Sequence, residues 1–439
     1  MKIAIVGAGI IGVTTAYELA TDGHEVTVFE RHGAAAEETS FANAGVVAPG
    51  YVTPWAAPGM PGKVLGHLLR RHAPVKVGLP LTAGELGWMW KWWRACKLEV
   101  YTANRARMQR LAFYSRQRLH QITADLKLDY DRSDGYMVLL RTEKDRALVQ
   151  PSLQVLRDAG AQVLPNSCGA CAGYGATFEE GATVISSTAR NFKGRMGPAL
   201  NPDTTFAGAI HLGEDEVGNC RQFALLLKDE ARRLGARFEF NTTVAQIAAS
   251  PSTAVSIVGE ATPRIFDAVV ICAGMASATL MRPLGLKLPL AAVHGYSVSA
   301  QIREPLNAPR SAVMDEHYKV AISRLGQRVR VAGSAEIGGE ATALRASSLQ
   351  TLYKVLHDWF PGAAQLANGV QEWKGARPML PDGPPVIGPS GLPGIWLNLG
   401  HGSSGWALSC GSARALADLV GSRTAGIDLE GMGVERLRG

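Results

Sequence analysis

The chain has 439 residues, with 45 Lys and Arg against 38 Asp and Glu and a formal net charge of +7. Its length allows about two or three domains and a core that needs no covalent staples. Six cysteines in so long a chain make no disulfide framework and indicate a reducing compartment, while the absence of basic runs interleaved with aromatics excludes the common nucleic-acid modules.

The first thirty residues carry the clearest pattern. Ile3 to Val6 are apolar and enter the turn Gly7-Ala8-Gly9-Ile10-Ile11-Gly12; a helical segment follows to Gly23, and Glu25 to Glu30 read as a second strand. The Met-Lys start and apolar run imitate a signal peptide, but the glycine spacing and the strand ending in an acid favour a cofactor site. This is a βαβ unit with GxGxxG at its first turn. Gly7 permits the turn, Gly9 lets a pyrophosphate approach, and Gly12 packs helix on strand. Ile10, Ile11 and Gly12 begin a helix whose N–H groups face phosphate. Glu30 can accept hydrogen bonds from ribose hydroxyls, and Arg31 follows it. The fingerprint alone does not separate FAD from NAD. No window reaches about eighteen uninterrupted apolar residues, so no spanning helix is expected.

Arg31 to Gly50 is rich in small residues that would let backbone lie against a flat ring; a plain surface loop is the alternative. Glu38 to Lys63, ETSFANAGVVAPGYVTPWAAPGMPGK, resembles the second signature of the bacterial D-amino-acid dehydrogenases, membrane-associated flavoproteins of the D-amino-acid oxidase superfamily. The resemblance implies flavin contacts at Glu38, Thr39, Ser40, Asn43, Ala44 and Gly45.

Trp88, Trp90, Trp92 and Trp93 then cluster beside Lys91, Arg94 and Lys97. They suit either a helix burying its aromatics or an interfacial patch on anionic lipid. Met108, Leu111, Ala112, Ser115, Leu119, Ile122 and Leu126 recur at helical spacing, predicting a long amphipathic helix over 104–126 whose outer arginines form a solvated face. Gly135 to Arg141 reads as a strand, and Glu143 to Gly160 as a helix.

Val163 to Pro198 differs from the rest. Asn166 to Gly173 (NSCGACAG) resembles the paired cluster-cysteine motif of aconitase-type iron-sulfur dehydratases, and Ser186 to Gly197 (SSTARNFKGRMG) their substrate-binding loop. A third cysteine in matching context is missing, and two cannot alone hold an ordinary cluster. An inert insertion, a CxxC zinc or redox site, and a working cluster stay open.

Beyond Phe206 the dehydrogenase resemblance resumes. Arg221 to Leu234 patterns as a helix, Ala236 to Phe240 as a strand, a further strand starts near Val244, and Phe266 to Gly274 returns a buried strand to a small-residue turn. Such a second half feeding the same nucleotide favours FAD, with Val244, Ala273 and Gly274 as contacts. Gly295 to Ile302, Ser311 to Met314, Lys319 to Arg324 and Arg328 to Gly333 alternate as strands of another sheet, with Lys319, Arg324 and Arg330 facing alternate sides. Leu349 to Phe360 is a helix.

Two carboxy-terminal signatures follow, EWKGARPMLPDGPPVIGP and IWLNLGHGSSGW. Arg377 precedes Pro378, which holds it in extended backbone, and its planar fork can bind a carboxylate by two parallel hydrogen bonds. In the resembled superfamily the arginine of this RP motif holds the substrate carboxylate. Asp382 and Gly383 shape a turn. Gly402, Ser403, Ser404 and Gly405 open a helix whose N–H groups can stabilise negative charge on reduced flavin. His401 is a candidate base, although direct hydride transfer from a neutral amine needs none. Tyr296 and Tyr318 match family tyrosines and either close over the substrate or belong to the core. His294 stands where the family carries lysine.

The expected fold is α/β. A Rossmann-like FAD-binding domain (1–50, 207–290 and 375–439) carries an inserted mixed-sheet α+β substrate domain (51–206 and 291–374) with the atypical insertion at about 163–198. The resemblance implies oxidative deamination of D-amino acids, D-proline-type substrates included. Electrons would pass to a respiratory acceptor such as a quinone, in a cytoplasmic protein peripheral to the inner face of the inner membrane. No nucleic-acid partner and no metal ligand set is assigned. An oxygen-using amine oxidase of the same fold and a non-catalytic flavin- or metal-binding protein are the alternatives.

Overall fold

The computed structural model describes residues 1–67, 72–149, 182–185, 200, 201 and 203–437. From the amino terminus run β1 (Lys2–Val6), α1 (Ile10–Thr21), β2 (Glu25–Phe29), β3 (Val46–Val47), α2 (Met60–His67), β4 (Val75–Gly78), α3 (Ala83–Ala95) and α4 (Leu98–Asp125). The middle holds β5 (Arg132–Leu140), β6 (Ala182–Ile185), β7 (Gly208–Gly218), α5 (Cys220–Arg233), β8 (Arg237–Glu239), β9 (Val244–Ala248), β10 (Ala254–Ile257), β11 (Arg264–Ile265), β12 (Ala268–Ile271) and α6 (Ala276–Met281). The last third supplies β13 (Ala291–Gln301), β14 (Ala312–Asp315), β15 (Val320–Leu325), β16 (Arg328–Gly338), α7 (Ala346–Trp359), β17 (Gln371–Met379), β18 (Val386–Pro389), β19 (Ile395–Leu399) and α8 (Gly405–Val420).

A six-stranded sheet in the order β18-β19-β12-β1-β2-β8 is parallel except at β18. Both faces are covered, as parallel strands require. Ile3 and Ile5 pack among α1, α4, α5 and α8, while Ala4 and Val6 pack against Ile247, Val255 and Ile257 of the three-stranded sheet β11-β10-β9. The expected strand after Val244 therefore belongs to this small sheet.

The second large sheet has ten strands, ordered β17-β13-β16-β15-β14-β5-β7-β3, with β4 on β16 and β6 on β7. Alternation gives it two faces. Tyr296, Val298, Val313, Ile322, Val329 and Val331 point toward α7, whereas Tyr136, Val138, Ala312 and Leu325 point the other way. Two of its strands, β7 and most of β17, and the small edge strand β3 lie in stretches expected to belong to the nucleotide domain. The chain crosses between sheets inside those stretches. Of the 163–198 segment only β6 is described; Cys168 and Cys171, and the helix expected beyond residue 149, lie outside the described residues.

Two helices depart from simple expectation. On α3, which Thr82 and Glu85 start with a capping box, Trp88 and Trp92 are buried while Trp90 and Trp93 are 58% and 53% exposed, so the cluster divides between core and surface. On α4 the arginines are not merely a solvated face. Arg118 forks onto the fully buried Glu18 of α1 at 2.7 and 2.9 Å, and Arg414 of α8 reaches the same carboxylate at 2.7 Å. Arg116 and His120 reach Asp215 and Glu216 of β7 at 3.4 and 2.8 Å. The helix is a strut between the sheets, and its spacing could not show which arginines had partners.

Burial pushes the Asp215 carboxyl up from 3.8 to about 7, against the pull of Arg116. The native state therefore holds a proton that the unfolded chain has released, and wild-type stability falls as the pH rises from about 4 to about 7. Asp215→Asn removes that titration. In thermal denaturation it should gain on wild type across this window, by roughly 2 to 4 kcal/mol at its upper end.

Candidate active site

The glycine turn leaves no room for side chains where helix meets strand. A Cβ on Gly12 would lie 1.9 Å from Gly7 O, and one on Gly7, at φ +101°, would lie 2.7 Å from Cys272 O. Gly9 instead has only Ser40 Oγ near, at 3.6 Å, so its side of the turn is open. Glu30 follows β2 and is buried beside this turn. Its Oε2 accepts the Ala8 N–H at 2.7 Å and its Oε1 the His32 N–H at 2.9 Å, leaving lone pairs for ribose hydroxyls. Arg31 pairs with Glu38, and His32 lies 2.8 Å from the same carboxylate. Ala273 and Gly274 follow β12 beside Gly7; Gly274 has φ +53° and open space where a side chain would stand. An open glycine cradle, a helix N-terminus and an oriented carboxylate fit the ADP half of FAD.

Residues 39–45 thread between the sheets and are tied to both by side-chain and backbone hydrogen bonds. Ser40 Oγ accepts the Ile10 N–H at 3.1 Å, and Thr39 Oγ1 donates to Ala376 O at 2.6 Å. Asn43 Oδ1 accepts the Gly45 N–H at 2.7 Å. From the ten-stranded sheet, Arg330 Nη1 donates to Asn43 O at 2.9 Å and Ser323 Oγ to Ala44 O at 2.7 Å. Trp406 Nε1 donates to Gly45 O at 3.2 Å, just inside α8. The loop thus spans from the start of α1 to the start of α8, where Gly402 to Ser404 form a single tight turn and Gly402, at φ +56°, approaches Met379.

Arg377 lies on β17 opposite Val293, with its guanidinium across the backbone of Gly295; a Cβ there would be 2.3 Å from Nη2. Nη1 donates to Ser334 O at 3.0 Å, no ion pair forms among the described residues, and burial pushes its pKa down to about 10. Tyr296 is opposite Lys374, three positions along the same ladder, and so faces the other side of the sheet. There its hydroxyl donates to the buried Glu336, which also receives Arg345 at 2.7 Å and lies 3.3 Å from Lys374. His294 shares that face, with Nδ1 unpartnered. Tyr318 packs toward α7 too, with Arg141 and Lys354 4.9 and 5.6 Å from its ring centroid. The structure thus does not bring either tyrosine to Arg377. Alternation separates Arg330 from Arg324 as well, the latter lining a polar surface cleft of about 350 Å³ with Arg132 and Arg310. The sequence reading passed over Ser323, although the Gly326-Gln327 turn sets it opposite Arg330 and register alone could have found it.

His401 is buried, and burial pulls its pKa down to about 3. Ser412 Oγ donates to Ser409 O at 3.1 Å and lies 3.0 Å from His401 Nε2, which assigns the proton to Nε2 and turns that nitrogen into α8. This arrangement does not suit a base. His401→Gln should leave the pH dependence of flavin reduction unmoved above about pH 5, measured by stopped-flow absorbance.

The sequence profile of the FAD dependent oxidoreductase family matches residues 2–419. The chain is 40% identical over 441 residues to a D-amino acid dehydrogenase of Bradyrhizobium diazoefficiens, covering 99% of each, and 39% identical over 437 residues to one of Cereibacter sphaeroides, covering 99% of this chain and 95% of that one. Among solved structures it resembles the glycine oxidase of Geobacillus kaustophilus, with a TM-score of 0.71 at 22% identity over 100% of this chain and 99% of that one, a likeness of fold. With the glycine cradle, the ribose-facing acid and a match that runs through both sheets, the chain belongs to the FAD-dependent oxidoreductase family.

Proposed function

We propose that this protein oxidises D-amino acids to imino acids, which hydrolyse to 2-oxo acids and ammonia, and passes the electrons to a respiratory acceptor such as a quinone. Arg377 carries the reading. It is a desolvated guanidinium with no acid partner among the described residues, and a planar carboxylate is the ligand its fork matches. The naming of relatives that share the whole chain supports the D-amino acid class.

Bound FAD supplies the two-electron acceptor. Arg377 holds the substrate carboxylate and so helps to fix the direction in which the single Cα–H of a D-amino acid points. The Gly402–Gly405 turn and the start of α8 would offer N–H groups to the negative charge that reduction puts on FAD. Neutral His401 keeps its proton, and the substrate amine reacts in its unprotonated form. The nucleotide-binding part is assigned to 1–50, 207–290 and 375–439, with the ten-stranded sheet borrowing β3, β7 and β17 from these stretches.

The composition of the exposed half of α3 supports the membrane side of this reading. Leu86, Trp90 and Trp93 are exposed beside Lys91, Arg94 and Lys97, a composition that suits peripheral contact with anionic lipid at the inner face of a membrane. No described helix is long and apolar enough to cross a membrane.

Anaerobic mixing with D- and L-amino acids tests the reaction. D-substrates should bleach the flavin and L-substrates should not; bleaching by neither would end the proposal. Admitting oxygen or a quinone to the reduced enzyme then separates oxidase from dehydrogenase. Arg377→Lys should raise KM for the D-amino acid by roughly tenfold to a hundredfold, about 1.5 to 3 kcal/mol of lost charge-assisted hydrogen bonding. In sedimentation with lipid vesicles, Trp90→Ser and Trp93→Ser together should abolish binding to anionic vesicles and leave flavin content intact.

A further inference from the structure

The ten-stranded sheet shields a second unanswered cation. Arg330 reaches the 39–45 loop from β16, and its Nη1 finds Asn43 O, but Nε is shielded from solvent without a partner. The titratable groups around it are the buried thiol of Cys220 and two cations, Arg328 and Arg221. Arg221 pairs with Glu37 and lies 4.6 Å over the Phe41 ring, its Nε without a partner, and Arg328 is bonded to Ser299 Oγ and O at 3.1 and 3.0 Å. No carboxylate pairs with Arg330 among the described residues. Burial pushes its pKa down to about 10, the direction expected of a guanidinium without a counter-charge.

The loop that Arg330 grips places this charge. At one end Ser40 accepts the N–H of Ile10 at the start of α1; at the other, Trp406 of α8 donates to Gly45. The loop and those two helix starts would hold FAD between them, and Arg330 stands at the loop through Asn43 O. Taking up a hydride adds two electrons and one proton to FAD, so its neutral ring system gains one negative charge.

We propose that Arg330 is the fixed counter-charge for reduced FAD: it positions the cofactor loop through the Asn43 carbonyl and raises the reduction potential of the bound flavin. Ser323 makes the neighbouring contact, to Ala44 O, without a charge, and so separates the electrostatic role from the tether.

The inference rests on FAD binding and not on the amino acid oxidised. Reductive titration of the FAD-loaded full-length protein with dithionite and a reference dye needs no substrate, so its outcome is independent of the D-amino acid reading. Arg330→Gln should shift the midpoint potential negative by at least the equivalent of a tenfold loss of preference for reduced over oxidised FAD, about 30 mV for two electrons. Ser323→Ala should weaken FAD binding without moving the potential. An Arg330→Gln potential equal to wild type, or an equal shift in Ser323→Ala, would overturn the proposal. Should Arg330→Gln fail to hold FAD, Arg330→Lys decides. A buried lysine can lose its proton, so its midpoint should fall further below wild type as the pH rises. A slope with pH identical to wild type would leave Arg330 as a tether only and sink the idea.

Discussion

The nucleotide-binding half turns on a close approach that a side chain cannot enter. With a Cβ position on Gly12 only 1.9 Å from Gly7 O, α1 is pressed onto the turn that launches it, and any residue other than glycine would force helix and strand apart. Three consequences depend on that approach. The N-terminus of α1 points at the space a pyrophosphate needs, Glu30 comes within 2.7 Å of the Ala8 N–H, and Ser40 reaches Ile10 to begin the loop between the sheets. The family match from residue 2 to 419 is then a match to a fold whose geometry starts here.

Around that contact the two sheets are joined by buried charge and by backbone. Glu18 on α1 is shared by Arg118 of α4 and Arg414 of α8, and α4 carries the connection on to β7. A buried carboxylate is tolerated only when its oxygens are satisfied, and here two guanidinium groups do so. Arg377 and Arg330 present the opposite case. Each has a backbone carbonyl as partner and no acid among the described residues, on strands that border residues 39–45. Cations desolvated in this way are costly to the empty protein, a cost that anionic ligands offset.

The α7 side of the ten-stranded sheet is built differently. Burial pushes the Glu336 carboxyl up, but hydrogen bonds from Tyr296 and Arg345 and the charge of Lys374 bring it below its usual value, so the cluster answers its own charges. Such closed networks hold a sheet to its helix and leave nothing for a ligand. The contrast between the self-neutralised face and the face with unanswered arginines distinguishes scaffold from site more sharply than residue type does.

Local patterns determined the elements that sequence alone could specify. GxGxxG followed by an acid, the period of α4, α5 and α7, and the alternation of β13 to β16 were legible because backbone sterics and hydrophobic period act over a few residues. A dinucleotide site was legible in the glycine turn, and FAD in the second half of the nucleotide-binding part together with the family resemblance; of Arg377, the extended backbone before Pro378 was legible. Tertiary structure decided which face each side chain serves. Tyr296 turned to α7 because strand register, set by pairing across about eighty residues of chain, assigns it there and Arg377 to the opposite side, and Tyr318 reaches the α7 side from the turn between β14 and β15. It also decided that half the tryptophans of α3 are core and half surface, that the arginines of α4 are struts, and that Arg330 meets Asn43 across 287 residues of sequence. Partners that distant leave no periodic trace in the chain, so only packing could reveal them.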